Sequence, residues 1–248
     1  MISRYDVYLN NIALSFLHPA LKVLNIEYQD PQIDVSTAEI ATRPGAYVTR
    51  QNITSAAVTV SFELHIYSTQ ARRAALDSVI AWAMQGGTLE ASDREDQQLH
   101  VICTDLPAMT AKAWTEPLSL TFTAHETPFW QDKTAATSDN GSIYVPGNVP
   151  PAIARAQVDA VLTATEDLTE CSLTVNSNTI YLSGLSLEQG DTITISHENG
   201  ILSIRSGQTS LLDKRTGADD LLAVCGEWNT FYTDGDVTAE ISIRGLWL

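Results

Sequence analysis

The stretch Ala57–Tyr67, AVTVSFELHIY, running directly into Ser68–Gly87, STQARRAALDSVIAWAMQGG, decides the fold. In the first part Val58, Val60, Phe62, Leu64 and Ile66 alternate with Thr59, Ser61, Glu63 and His65, the period-two pattern of a strand with one buried face. In the second, Ser68 or Thr69 stands where a capping hydroxyl is wanted, and Ala71 to Met84 are mostly good helix formers. Leu76, Val79, Ile80 and Ala83 make one apolar stripe, and Gly86-Gly87 stop the run. Such a stripe has to be covered, and the adjoining sheet is the nearest apolar surface. The pair predicts a sheet with one helix, near 69–85, laid across it.

Working outward, TLEASD (Thr88–Asp93), QQLHVICTDLP (Gln97–Pro107) and LSLTFTAHE (Leu118–Glu126) read as three more strands, the first two separated by a charged turn at Ser92 to Asp96. Residues 1–130 are thus expected to form a β-sandwich-like antiparallel domain with one packed helix. At its end stands HETPFWQDK, His125 to Lys133. Pro128 ends ladder pairing, and the rings of Phe129 and Trp130 either pack at a domain junction or complete the first core. The segment 131–155 carries Asp139-Asn140-Gly141, Pro146-Gly147 and Pro150-Pro151 without periodicity, and is expected to be an irregular connection.

The remainder is β in pattern. LEQGDTITISHENGILSIRSG (Leu187–Gly207) holds two alternating runs joined at Glu198-Asn199-Gly200, a hairpin signal, because Asn and Gly tolerate positive φ. DVTAEISIRGLWL closes the chain with Val237, Ala239, Ile241 and Ile243 on one face. Short strands punctuated by Gly, Asn and Asp predict a second β-sandwich over 131–248. The fold class is therefore mainly β, in two antiparallel β-domains.

The 248 residues carry 14 basic and 30 acidic side chains, a net charge of −16. Divided at Trp130, the first part holds 8 basic and 14 acidic groups and the second 6 and 16, so neither gathers phosphates. Cys103, Cys171 and Cys225 lie far apart without CxxC spacing and are expected to be reduced core thiols. No apolar run reaches the roughly 20 residues of a membrane span, and the N-terminus MISRYDVYLNN lacks a leader's apolar core. Synthesis in a cytoplasm and no membrane insertion are expected. No GxSxG, HExxH or GxxxxGK[ST] pattern is present, and the five histidines stand at no ligand spacing, so no enzyme activity, cofactor or metal is expected. The acidic loops SDREDQ, TGADD and YTDGD lack the spacing of a calcium loop and read as solvated turns.

Several segments together resemble a known family. ATRPGAYVTRQNITSAAVTVSFELHIY, the helix ARRAALDSVIAWAMQGGTLEASDRE, LHVICTDLP and LSLTFTAHETPFW are similar to the N-terminal domain of the distal tail proteins of long, non-contractile-tailed bacteriophages. LLDKRT and the final RGLWL are similar to the family's C-terminal, galectin-like or carbohydrate-module-like sandwich. The resemblance implies a virion protein of the tail tip, made in the bacterial host. Its N-terminal domains close a homo-hexameric ring, and its outward sandwiches leave the lumen free for DNA to pass. The implied partners are the tail tube protein, the tail hub or tip protein and a receptor-binding protein.

Two sets of side chains are the remaining candidates. Asp213, Lys214 and Arg215, within LLDKRT, are a possible subunit contact or a local ion pair. Tyr181, Trp228 and Tyr232 are possible sugar-stacking rings of a module that binds a host cell-surface glycan, the reading that competes with ring assembly.

Overall fold

The computed structural model describes residues 5–39, 46–108, 117–198 and 200–248. The chain divides into two compact units, Met1–Trp130 together with Leu248, and Gln131–Trp247. It is mainly β, with one α-helix among the described residues.

The first unit contains β1 (Val7–Leu9), β2 (Ile12–Ala13), β3 (Leu21–Gln29), β4 (Ile33–Glu39), β5 (Ala46–Ile53), β6 (Ala57–Leu64), α1 (Thr69–Ala83), β7 (Gly87–Ala91), β8 (Arg94–Asp105) and β9 (Leu118–Ala124). Its main sheet runs β2-β1-β7-β8-β9-β6-β3 with antiparallel neighbours. The alternation of Val58, Val60, Phe62 and Leu64 sets one face. Val58, Val60 and Phe62 of β6 lie opposite Phe122, Leu120 and Leu118 of β9, and five of these six are fully buried. On the other face Thr59 and Thr121 pair through their hydroxyls at 3.2 Å. The strand ends at Leu64 rather than Tyr67, whose ring is 84% exposed.

Ser68 caps α1, its hydroxyl accepting from the Ala71 N–H. The buried stripe is Ala75, Leu76, Val79, Trp82 and Ala83, while Ile80 is only partly covered. Trp82 turns the stripe because its ring meets Phe122 edge-on at 5.9 Å and its Nε1–H donates to the Ile12 carbonyl at 3.1 Å, so both its apolar body and its polar tip are satisfied. The glycine stop holds for a steric reason. Gly87 has φ +115°, and a Cβ there would run into the Asn10 amide, which itself donates to the Gly86 carbonyl and accepts from the Thr88 N–H.

The expected charged turn at Ser92 to Asp96 is shorter: only Ser92 and Asp93 turn, and β8 begins at Arg94. The guanidinium lies over the rings of Tyr28 at 4.8 Å and Trp130 at 4.9 Å, a stacking geometry that draws a charged residue into the sheet. A separate two-stranded ribbon, β4 with β5, pairs with nothing else among the described residues.

β10 (Trp130–Asp132) begins on the last residue of the first unit and runs into the second, which contains β11 (Ala136–Ser138), β12 (Ser142–Val145), β13 (Ala156–Ala164), β14 (Leu168–Val175), β15 (Asn178–Leu187), β16 (Thr192–Glu198), β17 (Ile201–Ser206), β18 (Thr209–Ser210), β19 (Arg215–Gly217), β20 (Leu222–Ala223), β21 (Glu227–Asp234), β22 (Val237–Ile243) and β23 (Leu246–Trp247). One sheet runs β11-β22-β13-β16-β17-β18, with β20 on β13; the other runs β12-β21-β14-β15-β19. Each strand gives one face to the core: Val158, Ala160, Leu162 and Ala164 from the first sheet, Leu173, Val175, Ile180, Leu182 and Phe231 from the second. The β16–β17 hairpin pairs Glu198 with Ile201; its Asn199 lies outside the described residues, and Gly200 takes φ +72°.

The segment 131–155 is not an irregular connection. It supplies edge strands to both sheets, with Ile143, Val145 and Val149 buried. Strands of three or four residues are too short to show a period. This segment also joins two motifs that stand far apart in sequence. Asp132 accepts from the Gly245 N–H at 3.1 Å and from the Trp247 Nε1–H at 2.8 Å, so QD of the PFWQDK stretch and GLW of the closing RGLWL fold into one network.

Candidate functional site

The outer face of the five-stranded sheet in the second unit gathers exposed aromatic side chains. β21 alternates: Asn229 and Phe231 point inward, so Trp228, Thr230, Tyr232 and Asp234 point outward. Pairing carries this face across the sheet. Tyr144 of β12 lies opposite Trp228, and their rings meet at 5.8 Å. Thr174 of β14 lies between Tyr232 and Thr179, and Ser172 lies between Asp234 and Tyr181. Trp228, Tyr232, Tyr181 and Tyr144 are 70%, 60%, 52% and 47% exposed, so all three rings singled out from the sequence stand on one solvent-facing surface. Tyr144 was missed in the sequence, because its place on this face comes from pairing opposite Trp228 and not from any period in a four-residue strand.

Between the flanking strands β14 forms a floor of small hydroxyl residues. Thr174 and Ser172 are 3% and 6% exposed, and Thr174 shares a 2.9 Å hydrogen bond with Thr179. At the Asp234 end a cavity of about 300 Å³ opens, lined by Glu170, Ser172, Tyr181, Ser183 and Asp234 among others. Register explains the grouping, since Glu170 lies opposite Ser183 in the next step of the same ladder.

Beneath this face the sheet is pinned by Asn229, 1% exposed. Its oxygen accepts from the Val224 N–H at 2.7 Å and the Asn176 amide at 2.8 Å, and its own amide donates to the Val224 and Glu227 carbonyls. Every polar atom of the side chain is used, which is how a buried amide becomes tolerable.

A second polar cluster lies in the other sheet. His197 of β16 has a side chain 6% exposed, with Nδ1 3.0 Å from Asp159 Oδ1 and Nε2 2.7 Å from Asp220 Oδ1. Burial opposes charging the ring, but the hydrogen bonds and negative charges of Asp159 and Asp220 outweigh it and push its pKa up to about 9. From the sequence this histidine looked isolated and the TGADD loop looked solvated; the fold joins them across 23 and 38 residues.

Asp213 and Lys214 lie in a short 3-10 turn on the surface, while Arg215 donates to the Asp219 carbonyl at 2.6 Å and pairs with its carboxylate at 3.4 Å. Phe129 and Trp130 are each 1% exposed and lie in the first unit, where Trp130 meets Tyr28 edge-on at 5.8 Å. All three cysteines are free thiols, and burial pushes Cys171 up to about 11. Among the described residues no group of three or more His, Cys, Asp or Glu side chains is placed to hold a metal. No helix among them is long and apolar enough to cross a membrane.

No protein-family model matches the chain, and no curated protein matches its sequence. Solved structures do match. The SPP1 Dit (gp 19.1) protein, described as a paradigm of the hub adsorption apparatus in Gram-positive infecting phages, is similar with a TM-score of 0.75 at 11% identity, over 98% of this chain and 99% of that one. A chain of the phage P2 baseplate, activated with Ca, is similar with a TM-score of 0.54 at 10% identity, over 99% of this chain and 98% of that one. The same baseplate activated with Sr gives 0.54 at 10% identity, over 97% of each chain. Over nearly its whole length, this chain carries the fold of a phage tail hub protein.

Proposed function

We propose that this chain is a structural protein of a phage or prophage tail tip, a distal tail protein whose copies form a hexameric ring between the tail tube and the tip hub with its receptor-binding components. The observation that carries this reading is the likeness to the SPP1 Dit protein across both units, not across one module alone. A shared fold by itself leaves function open, so three features of this chain weigh in support.

The first is the ribbon β4–β5. An isolated two-stranded hairpin is marginal in water, and this one leaves Ile33, Val35 and Tyr47 between 41% and 46% exposed. A strand pair without a core of its own gains cover from a neighbouring copy, and a closed ring requires such a contact between two different surfaces of each copy. The second is charge. A chain of net −16 offers phosphates no foothold, so DNA passes a lumen made of such chains without sticking. The third is the chemistry of the clusters around Asn229 and His197, whose polar groups close on one another and serve the fold.

Assembly is the mechanism, and the first unit carries it. Light scattering behind a sizing column, on the full chain and on a chain ending at residue 130, tests this. Both are expected to give the mass of a closed oligomer. A truncated chain that is monomeric where the full chain forms rings refutes the assignment of assembly to the first unit.

A further inference from the structure

We propose that the outer face of the β12-β21-β14-β15-β19 sheet binds a neutral oligosaccharide, with Tyr181, Ser172, Glu170 and Asp234 forming the first sugar subsite. This goes beyond the ring reading and stands on the second unit alone.

Four observations converge. The cavity beside Tyr181, about 300 Å³, has the size at which small-molecule clefts begin. The hydroxyl-bearing floor residue Ser172, 6% exposed overall, lines the cavity, and its hydroxyl is open to it rather than buried in the protein. At the rim, Glu170 has no hydrogen bond or ion pair among the described residues, and Asp234 spends one oxygen on the Gly235 N–H at 3.1 Å. Acceptors are therefore in surplus, and a sugar ring offers several hydroxyl donors at once. Tyr181, 52% exposed, supplies the flat surface against which the C–H face of a sugar rests, with its phenol free to hydrogen-bond.

The rest of the face extends the site. From strand rise and spacing, Tyr232 stands ~12 Å from Tyr181 and Trp228 a further ~13 Å along β21, on the same side. Thr174 and Thr179 floor the step between the tyrosines. Rings at such intervals above a hydroxyl floor suit a chain of sugar units and not a single one. The charge selects the class. No basic side chain lines the cavity and two carboxylates do, in a region carrying 6 basic and 16 acidic groups, so glycans bearing phosphate or uronate are repelled. The same repulsion weighs against a second copy of this acidic face as the occupant.

The test uses the full chain on an array of neutral hexose and N-acetylhexosamine oligosaccharides beside phosphate-bearing and uronate-bearing ones, followed by calorimetric titration of the best neutral binder. Binding confined to neutral glycans is expected, weakened on the order of tenfold by Tyr181→Ala, the loss of one stacked ring. Ser172→Val is expected to weaken it as well, and Tyr181→Ala, being exposed, keeps the thermal midpoint and the solution mass of the parent chain. The proposal is overturned if no neutral glycan binds at about 10 mM, if anionic glycans bind as well as neutral ones, or if a folded Tyr181→Ala chain binds undiminished. A Tyr181→Ala chain of altered oligomeric mass also overturns it, since the face is then a contact between copies. Failure of ring assembly leaves the glycan result readable, and the reverse holds.

Discussion

Replacing His197 with Gln removes a buried positive charge held between two carboxylates, and the structure sets both the size and the pH dependence of the loss. Each ring nitrogen faces a carboxylate oxygen, at 3.0 and 2.7 Å, and both can donate only when the ring is doubly protonated. The folded pKa of about 9 stands above the ordinary 6.5, so the folded state holds the proton more tightly than the unfolded chain. The resulting stabilisation is complete below pH 6.5 and is lost as pH rises through about 9. A shift of this size corresponds to at most about 3 kcal/mol. Because Asp159 is half exposed and its interaction is screened, about 1–2 kcal/mol is the expected contribution. Thermal unfolding of parent and His197→Gln chains therefore diverges at pH 6, with the variant melting roughly 4–8 °C lower, and the gap narrows towards pH 10. Imidazole resonances followed by NMR are expected to show one of the five histidines titrating near pH 9. A gap of equal size at both pH values, or a His197 that titrates near 6.5, refutes this account of the cluster.

Three further outcomes are expected. Asn229→Ala leaves the Val224 N–H and carbonyl without their partner beneath the aromatic face, and costs about 3–5 kcal/mol in thermal or urea unfolding; a loss under 0.5 kcal/mol contradicts the network. Gly245→Ala places a Cβ against the Pro146 carbonyl and the Asp132 carboxylate, and is expected to lower the soluble yield and the melting temperature, where an unchanged melt disproves the close approach. Replacing residues 33–53 of the ribbon by a short turn is expected to leave the melt of the first unit nearly unchanged while reducing oligomer mass, and an undiminished ring removes the ribbon from the interface.

What the sequence made legible follows from element length and periodicity. β6, α1 and β9 were readable because each is at least seven residues long and carries its burial as an uninterrupted pattern, as in Val58 to Leu64. The same patterns led to two β-rich units. The strands in 136–145 were not readable, since three or four residues between turn-forming glycines show no period, and their burial comes from edge pairing with β21 and β22. Arg94 was assigned to a turn because charge usually marks solvent, while its stacking on Tyr28 and Trp130 is a tertiary fact.

The candidate face was partly legible. Tyr181, Trp228 and Tyr232 were visible as aromatic residues in a β pattern, but their common side depends on which strands are neighbours, and β14, lying between β21 and β15, is far from β21 in sequence. Ser172 and Glu170 gave no signal, and Asp234 was read only as part of the solvated YTDGD turn; the meaning of all three comes from register. The His197 cluster was hidden for the same reason: three residues from three segments converge only after the sheet forms.

The most direct test of the central claim is the solution mass of the purified full chain by light scattering, with negative-stain images of the main peak. The ring account predicts six chains of 27.0 kDa, a particle of about 162 kDa with six-fold views and an open centre. A single 27.0 kDa species that persists to the highest soluble concentration, and also after addition of tail tube and hub proteins, contradicts it.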